Sequence, residues 1–214
     1  MVQYKRFIVN PLAVNAFVVY DETKEAIIID GAAIREDEMS KILNFIREEN
    51  LVVKYIISTH GHFDHVCGNA ELKEIFDAPI LMNIADNFWV ENAEKIGESY
   101  GIKIKTPPLP DKYLNDGDKI NFGNSEILVF SLPGHSPGSL IFYSKNLSMV
   151  FSGDTLFANS IGRTDFPQGN FNTLITGIKD KILSLPKETI VFPGHDVETT
   201  VGYEIANNYY FKNS

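Results

Sequence analysis

The chain has 214 residues, 44% of them hydrophobic, enough to bury a sizeable core and most simply one domain over residues 1–214. Its formal net charge of −9, with acidic and basic residues interspersed, argues against nucleic acid and anionic membrane surfaces as partners. No apolar run of about 18 residues is present to span a bilayer, and MVQYKRFIVNPLAV at the start lacks the features of a secretory leader.

In chain order, residues 15–20 (NAFVVY) and 26–30 (AIIID) predict strands, and Met39, Ile42, Leu43 and Ile46 fall on one face of a helix. Residues 53–58 (VKYIIS) predict a further strand. The lone cysteine, Cys67, excludes an intrachain disulfide framework and makes a reducing, cytoplasmic setting the expectation. TPPLPD at 106–111 reads as a loop, and Asp116-Gly117 before KINFG as a hairpin turn entering a strand. Strands follow at 127–131, 140–144 and 148–152, and Asn170 reads as the N-cap of a helix whose apolar face carries Phe171, Leu174, Ile175, Ile178 and Ile182. A last strand covers 189–192. Several of these strands are apolar almost throughout, which suits sheets covered on both faces. The expected class is α/β (α+β), as a four-layer αββα sandwich.

The chain has five histidines. Three lie in Thr59-His60-Gly61-His62-Phe63-Asp64-His65, directly after the strand VKYIIS. In extended backbone, His60 and His62 project to one side and can share a metal; Asp64 and His65, from the following turn, can face a second. Imidazole with carboxylate suits zinc, iron or manganese. His135 and His195 each end a Pro-Gly-His tripeptide after a strand, and Asp154 follows a strand in Phe151-Ser152-Gly153-Asp154. A lone histidine after such a turn is ordinarily just a surface or core side chain, and a lone aspartate after glycine a cap or turn residue. Beside the His-x-His-x-Asp-His cluster, these three acquire a destination as ligands.

The THGHFDH motif, PGHSPGS at 133–139, FSGDTLF at 151–157 and FPGHD at 192–196 together resemble the metallo-β-lactamase superfamily, over nearly the whole chain. The run from Ser152 to Phe157, with Ser160-Ile161-Gly162-Arg163-Thr164-Asp165-Phe166-Pro167, is similar to its glyoxalase II-like (hydroxyacylglutathione hydrolase-like) short branch. The resemblance implies one divalent ion, most simply zinc, on His60, His62 and His135. It implies a second on Asp64, His65 and His195, with Asp154 and a water or hydroxide bridging the two. It further implies attack of that hydroxide on a small-molecule thioester, S-D-lactoylglutathione or a related acyl-thiol, with Asp64 orienting the hydroxide and shuttling its proton. The superfamily's antibiotic-degrading members generally lack a bridging aspartate, which argues against that activity. The rival reading is a persulfide dioxygenase, which would hold one iron through His60, His135 and Asp154.

Among the remaining residues, Asp30 supports the ligands or forms a turn. Arg163 and Asp165 line the substrate mouth or pair to fix their loop. Cys67 is a small buried side chain or a thiol close to the metals. Tyr203, Tyr209, Tyr210 and Phe211 close the pocket, form a subunit contact or belong to the core. The sequence leaves the oligomeric state open.

Overall fold

A computed structural model of the chain describes residues 1–212. The first half contains β1 (Gln3–Val9), β2 (Val14–Tyr20), β3 (Glu25–Ile29), α1 (Glu36–Glu48), β4 (Val52–Ile57), α2 (Phe63–Val66), α3 (Asn69–Phe76), β5 (Ile80–Met82), α4 (Asn87–Glu91), α5 (Ala93–Ser99) and β6 (Lys112–Tyr113). The second contains β7 (Lys119–Phe122), β8 (Ser125–Ser131), β9 (Leu140–Ser144), β10 (Met149–Gly153), β11 (Leu156–Phe157), β12 (Ser160–Ile161), α6 (Phe171–Gly177), β13 (Ile190–Pro193), β14 (Thr199–Thr200) and α7 (Val201–Asn207). Two six-stranded sheets result, ordered β1-β2-β3-β4-β5-β6 and β14-β13-β10-β9-β8-β7, with β11 and β12 as a separate small hairpin. Both sheets are mixed: β3 to β6 pair in parallel in the first, and β10 with β13 in the second.

The wholly apolar strands are explained by the layers. Along β2 and β3 the side chains alternate, Phe17, Val19, Ile27 and Ile29 facing the second sheet while Ala16, Val18, Ala26 and Ile28 face α1 and α3. Helix α1 presents Met39, Ile42 and Ile46 to that outer face. On the far side, Leu174, Ile178, Ile182, Val201 and Phe211 cover Ile141, Val150 and Val191 of the second sheet. The arrangement is the expected four-layer αββα sandwich.

Between the sheets, Phe17 lies edge-to-face against Phe151 and Phe192 at 4.9 and 5.3 Å between ring centroids. Phe17→Ala is expected to cost about 3–5 kcal/mol. Thermal denaturation should show a fall of roughly 10 °C in Tm for a chain of this size.

Two elements differ from the sequence expectation. Asp116-Gly117 does not close a hairpin: it carries the chain from β6 of the first sheet to β7 of the second, and the β7–β8 hairpin turns at Gly123-Asn124. Asp116 is occupied instead in accepting from Ser131 N–H and Lys181, both at 2.7 Å. The helix begun at Asn170 changes after Gly177 into a π-helical turn over Ile178–Ile182, so the apolar face is kept with a different winding. Asn170 caps it as expected, its side chain accepting from Thr173 N–H at 2.9 Å.

Candidate metal centre

Four strand ends open onto one edge of the sandwich. His60 follows β4, His135 follows β8, Asp154 follows β10 and His195 follows β13. The parallel pairing of β10 with β13 sets Gly153 against Pro193, and Gly194 N–H donates to the Gly153 carbonyl at 2.8 Å, so Asp154 and His195 emerge side by side. Seven ligand-type side chains thus converge: His60, His62, Asp64, His65, His135, Asp154 and His195. They group as His60/His62/His135, as His60/His65/Asp154 and as Asp64/His65/His195, each with ligand atoms within 4.8 Å of one another.

The ring orientations follow from what holds the outer nitrogens. His65 Nδ1 lies 3.0 Å from Asp30, His135 Nδ1 2.9 Å from the Arg163 carbonyl, and His195 Nδ1 2.9 Å from the Leu12 carbonyl. His60 Nδ1 lies 3.0 Å from the Thr59 hydroxyl, which itself donates to Asp30 at 2.7 Å. These acceptors hold an N–H on Nδ1 and turn Nε2 inward, the orientation a cation requires of an imidazole. Asp30 therefore supports two histidines at once. His62 is turned the other way, its Nδ1 2.9 Å from His135 Nε2.

Buried His60 Nε2 and Asp154 Oδ1 have no hydrogen-bond partner among the described residues. Asp154 lies 3.4 Å from His65 Nε2, 3.5 Å from His195 Nε2 and 3.6 Å from His135 Nε2, and Asp64 lies 3.4 Å from His195 Nε2. Ligands about 2.1 Å from a shared ion stand about 3–3.5 Å apart, so the spacing and the orphaned atoms both fit bound cations. Burial and the neighbouring imidazoles hold His60 well below the usual histidine range, and burial with His135 lowers His62 to about 3. Burial alone would neutralise Asp154 and Asp64, but the charge of His65 outweighs it and keeps both carboxylates ionised. Burial also opposes charge on His195, yet hydrogen bonds to Asp154 and Asp64 raise it to about 10.

A contributor not read from the sequence is Asp86, fully buried before α4. Its carboxylate accepts from Gly61 N–H at 2.8 Å, Gly138 N–H at 2.6 Å and the Ser136 hydroxyl at 2.7 Å. It thereby ties the loop carrying His60 and His62 to the loop carrying His135. A Cβ at Gly61 or Gly138 would press on Asp86 at 2.7 and 2.6 Å, so both positions need glycine for this close approach. Asn15 does similar work opposite, its amide donating to the Pro193 and Asp196 carbonyls at 2.9 and 3.0 Å on either side of His195. A polar side chain inside the apolar run NAFVVY was the available signal for Asn15; Asp86 had none.

Arg163 and Asp165 form the loop-fixing ion pair, at 2.6 and 2.7 Å, and Arg163 also lines the cavity over the ligands. Of the C-terminal aromatics, Phe211 is core, while Tyr203, Tyr209 and Tyr210 are exposed and none of the four lines that cavity. The Cys67 thiol donates to the Ala32 carbonyl at 3.1 Å, packs with the outer core, and is pushed up by burial and by Asp64. Cys67 is expected to stay unmodified by a thiol-specific disulfide reagent in the native protein and to react at the rate of unfolding. Rapid native labelling would contradict this.

Such a centre on such a sandwich defines a class of metal-dependent enzymes, and the comparisons agree. Residues 9–195 match the model of the metallo-beta-lactamase superfamily, and the chain belongs to that superfamily. It is 36% identical to "Probable metallo-hydrolase YqgX" of Bacillus subtilis, over 93% of this chain and 92% of the relative. It is 35% identical to "Hydroxyacylglutathione hydrolase GloC" of Haemophilus influenzae, over 91% of each. Among solved structures, TTHA1623 in a di-iron-bound form is 37% identical with a TM-score of 0.87, covering 97% of this chain and 100% of that one. BLEG-1, described as a B3 metallo-beta-lactamase, is 34% identical with a TM-score of 0.88, covering 97% and 99%. The relatives support a metallo-hydrolase. Among the described residues, no helix is long and apolar enough to cross a membrane.

Proposed function

We propose that the protein hydrolyses a small acyl-thiol, S-D-lactoylglutathione or a related thioester, as a single domain using two divalent ions. The observation that carries this reading is the grouping of seven ligand side chains into clusters with Asp154 among them. His60, His62 and His135 would hold one ion, Asp64, His65 and His195 the other, and Asp154 would lie between them. Zinc is the simplest occupant, with iron or manganese compatible with the same donors. When bound, such a pair supplies Lewis acidity toward the carbonyl and lowers the pKa of a shared water towards about 7.

The chain's own residues do the rest. Asp64, whose carboxylate is held below its ordinary range and lies 3.4 Å from His195, would orient that water and take up its proton. The cavity above the ligands has a volume of about 360 Å³ and, among the described residues, no serine, threonine or cysteine lines it, consistent with water as the nucleophile. Its walls are mostly aromatic and aliphatic side chains, among them Phe63, Trp89, Tyr100, Phe157 and Phe166.

Elemental analysis of natively purified protein, run alongside a panel of thioesters and β-lactams, tests the proposal. The expected result is two equivalents of metal with thioester cleavage. Full metal loading with β-lactams alone turned over would sink it.

A further inference from the structure

We propose that the thioester taken by this site carries an uncharged apolar arm, an aromatic ring or an alkyl chain, seated in a bay beside His62 and His135. This rests on the thioester reading above and, within it, favours a related acyl-thiol with an apolar arm over S-D-lactoylglutathione. The bay is one wall of the cavity, formed by Phe63, Trp89, Ile96, Tyr100 and Phe166. The Trp89 ring stands perpendicular to His62 at 4.5 Å, Phe166 lies 4.9 Å from His62 and 5.8 Å from His135, and Phe63 lies against Tyr100 at 5.2 Å. Aromatic side chains therefore begin where the histidines of the cluster end, so an arm attached to a bond over the cluster meets apolar surface at once.

Charge points the same way. Among the described residues, Arg163 is the one lysine or arginine lining the cavity, and the acidic residues there are Asp64 and Asp154, both in the cluster. Its guanidinium is held by both oxygens of Asp165 and lies over the Phe166 ring, 4.1 Å from the centroid. A thiol arm with two carboxylates, as in glutathione, finds a single cation that already has a partner. An apolar arm loses nothing on entry and gains the burial of each methylene, about 0.8 kcal/mol or roughly fourfold in affinity.

Trp89 is the chain's one tryptophan, and its position in the bay makes it the reporter. Two series of non-hydrolysable thioethers, with CH2 in place of the thioester carbonyl, separate the two possible arms. One lengthens the acyl side from ethyl to octyl on a fixed N-acetylcysteamine sulfur; the other lengthens the sulfur side on a fixed short acyl side. Kd, read from Trp89 emission, is expected to fall about fourfold per methylene in one series until the bay fills. The matching thioesters should show the same rise in kcat/KM, and Tyr100→Ser, at an exposed position on the bay, should flatten both slopes.

Flat Kd values in both series, or tighter binding of a glutathione thioether than of the octyl compounds, would overturn the proposal. If thioesters are cleaved without regard to chain length, the bay is refuted and the hydrolase reading stands. If the thioethers bind with the expected slope while no thioester is cleaved, the hydrolase reading is refuted and the apolar bay stands.

Discussion

Asp154→Ala is expected to reduce thioester turnover by at least about 10³-fold, the equivalent of several kcal/mol of transition-state stabilisation. Asp154 is the side chain that lies within 3.4–3.6 Å of His65, His135 and His195, so its loss touches every part of the cluster. It also supplies much of the negative potential that His65 and His195 respond to. Metal content should fall below two equivalents, and Asp154→Asn, which keeps the shape without the charge, should change it in the same direction. Elemental analysis with steady-state kinetics measures both. Full loading and intact turnover in the alanine variant would remove Asp154 from the centre.

The second large effect is expected at Asp86, which touches none of the ligand atoms. In Asp86→Asn one of the two oxygens becomes an N–H group facing an N–H donor, either Gly138 or Gly61, at under 3 Å. Displacement of the loops bearing His62 and His135 should weaken metal binding and activity by about 10- to 100-fold, the usual scale for groups that orient ligands from behind. Asp86→Ala leaves the buried Gly61 and Gly138 N–H groups unmet at about 1–3 kcal/mol each, since Ser136 can turn to Ser139, and its Tm should drop by roughly 10 °C. Metal titration of the Asn variant separates positioning from folding. Wild-type affinity there would show that the clamp does not matter to the ligands.

The layers and most of the candidate site were legible because both rest on local pattern. Strands apolar on both faces announce a covered sheet, and His-x-His-x-Asp-His compresses four ligand-type side chains into seven residues. His135, Asp154 and His195 became readable only through company and family likeness, since a Pro-Gly-His or Gly-Asp turn carries no chemistry of its own. Asp86 was invisible because its role depends on two glycine loops, 25 and 52 residues away in sequence, meeting around it. The Asp116-Gly117 turn was misread for a related reason. A hairpin and a crossover between sheets begin with the same two residues, and what distinguishes them is the partner the next strand finds.

One consequence lies in how the ligand groups divide along the chain. Each of the three draws two members from the first half and one from the second: His60 and His62 with His135, His60 and His65 with Asp154, Asp64 and His65 with His195. The halves meet through the apolar layer that contains Phe17 and Phe151. A cation held there would act as a rivet through both plates, and its affinity would record how tightly they are pressed together. Loosening that seam at Phe17 should therefore leach metal from a centre it never touches, and metal in turn should restore part of the lost stability.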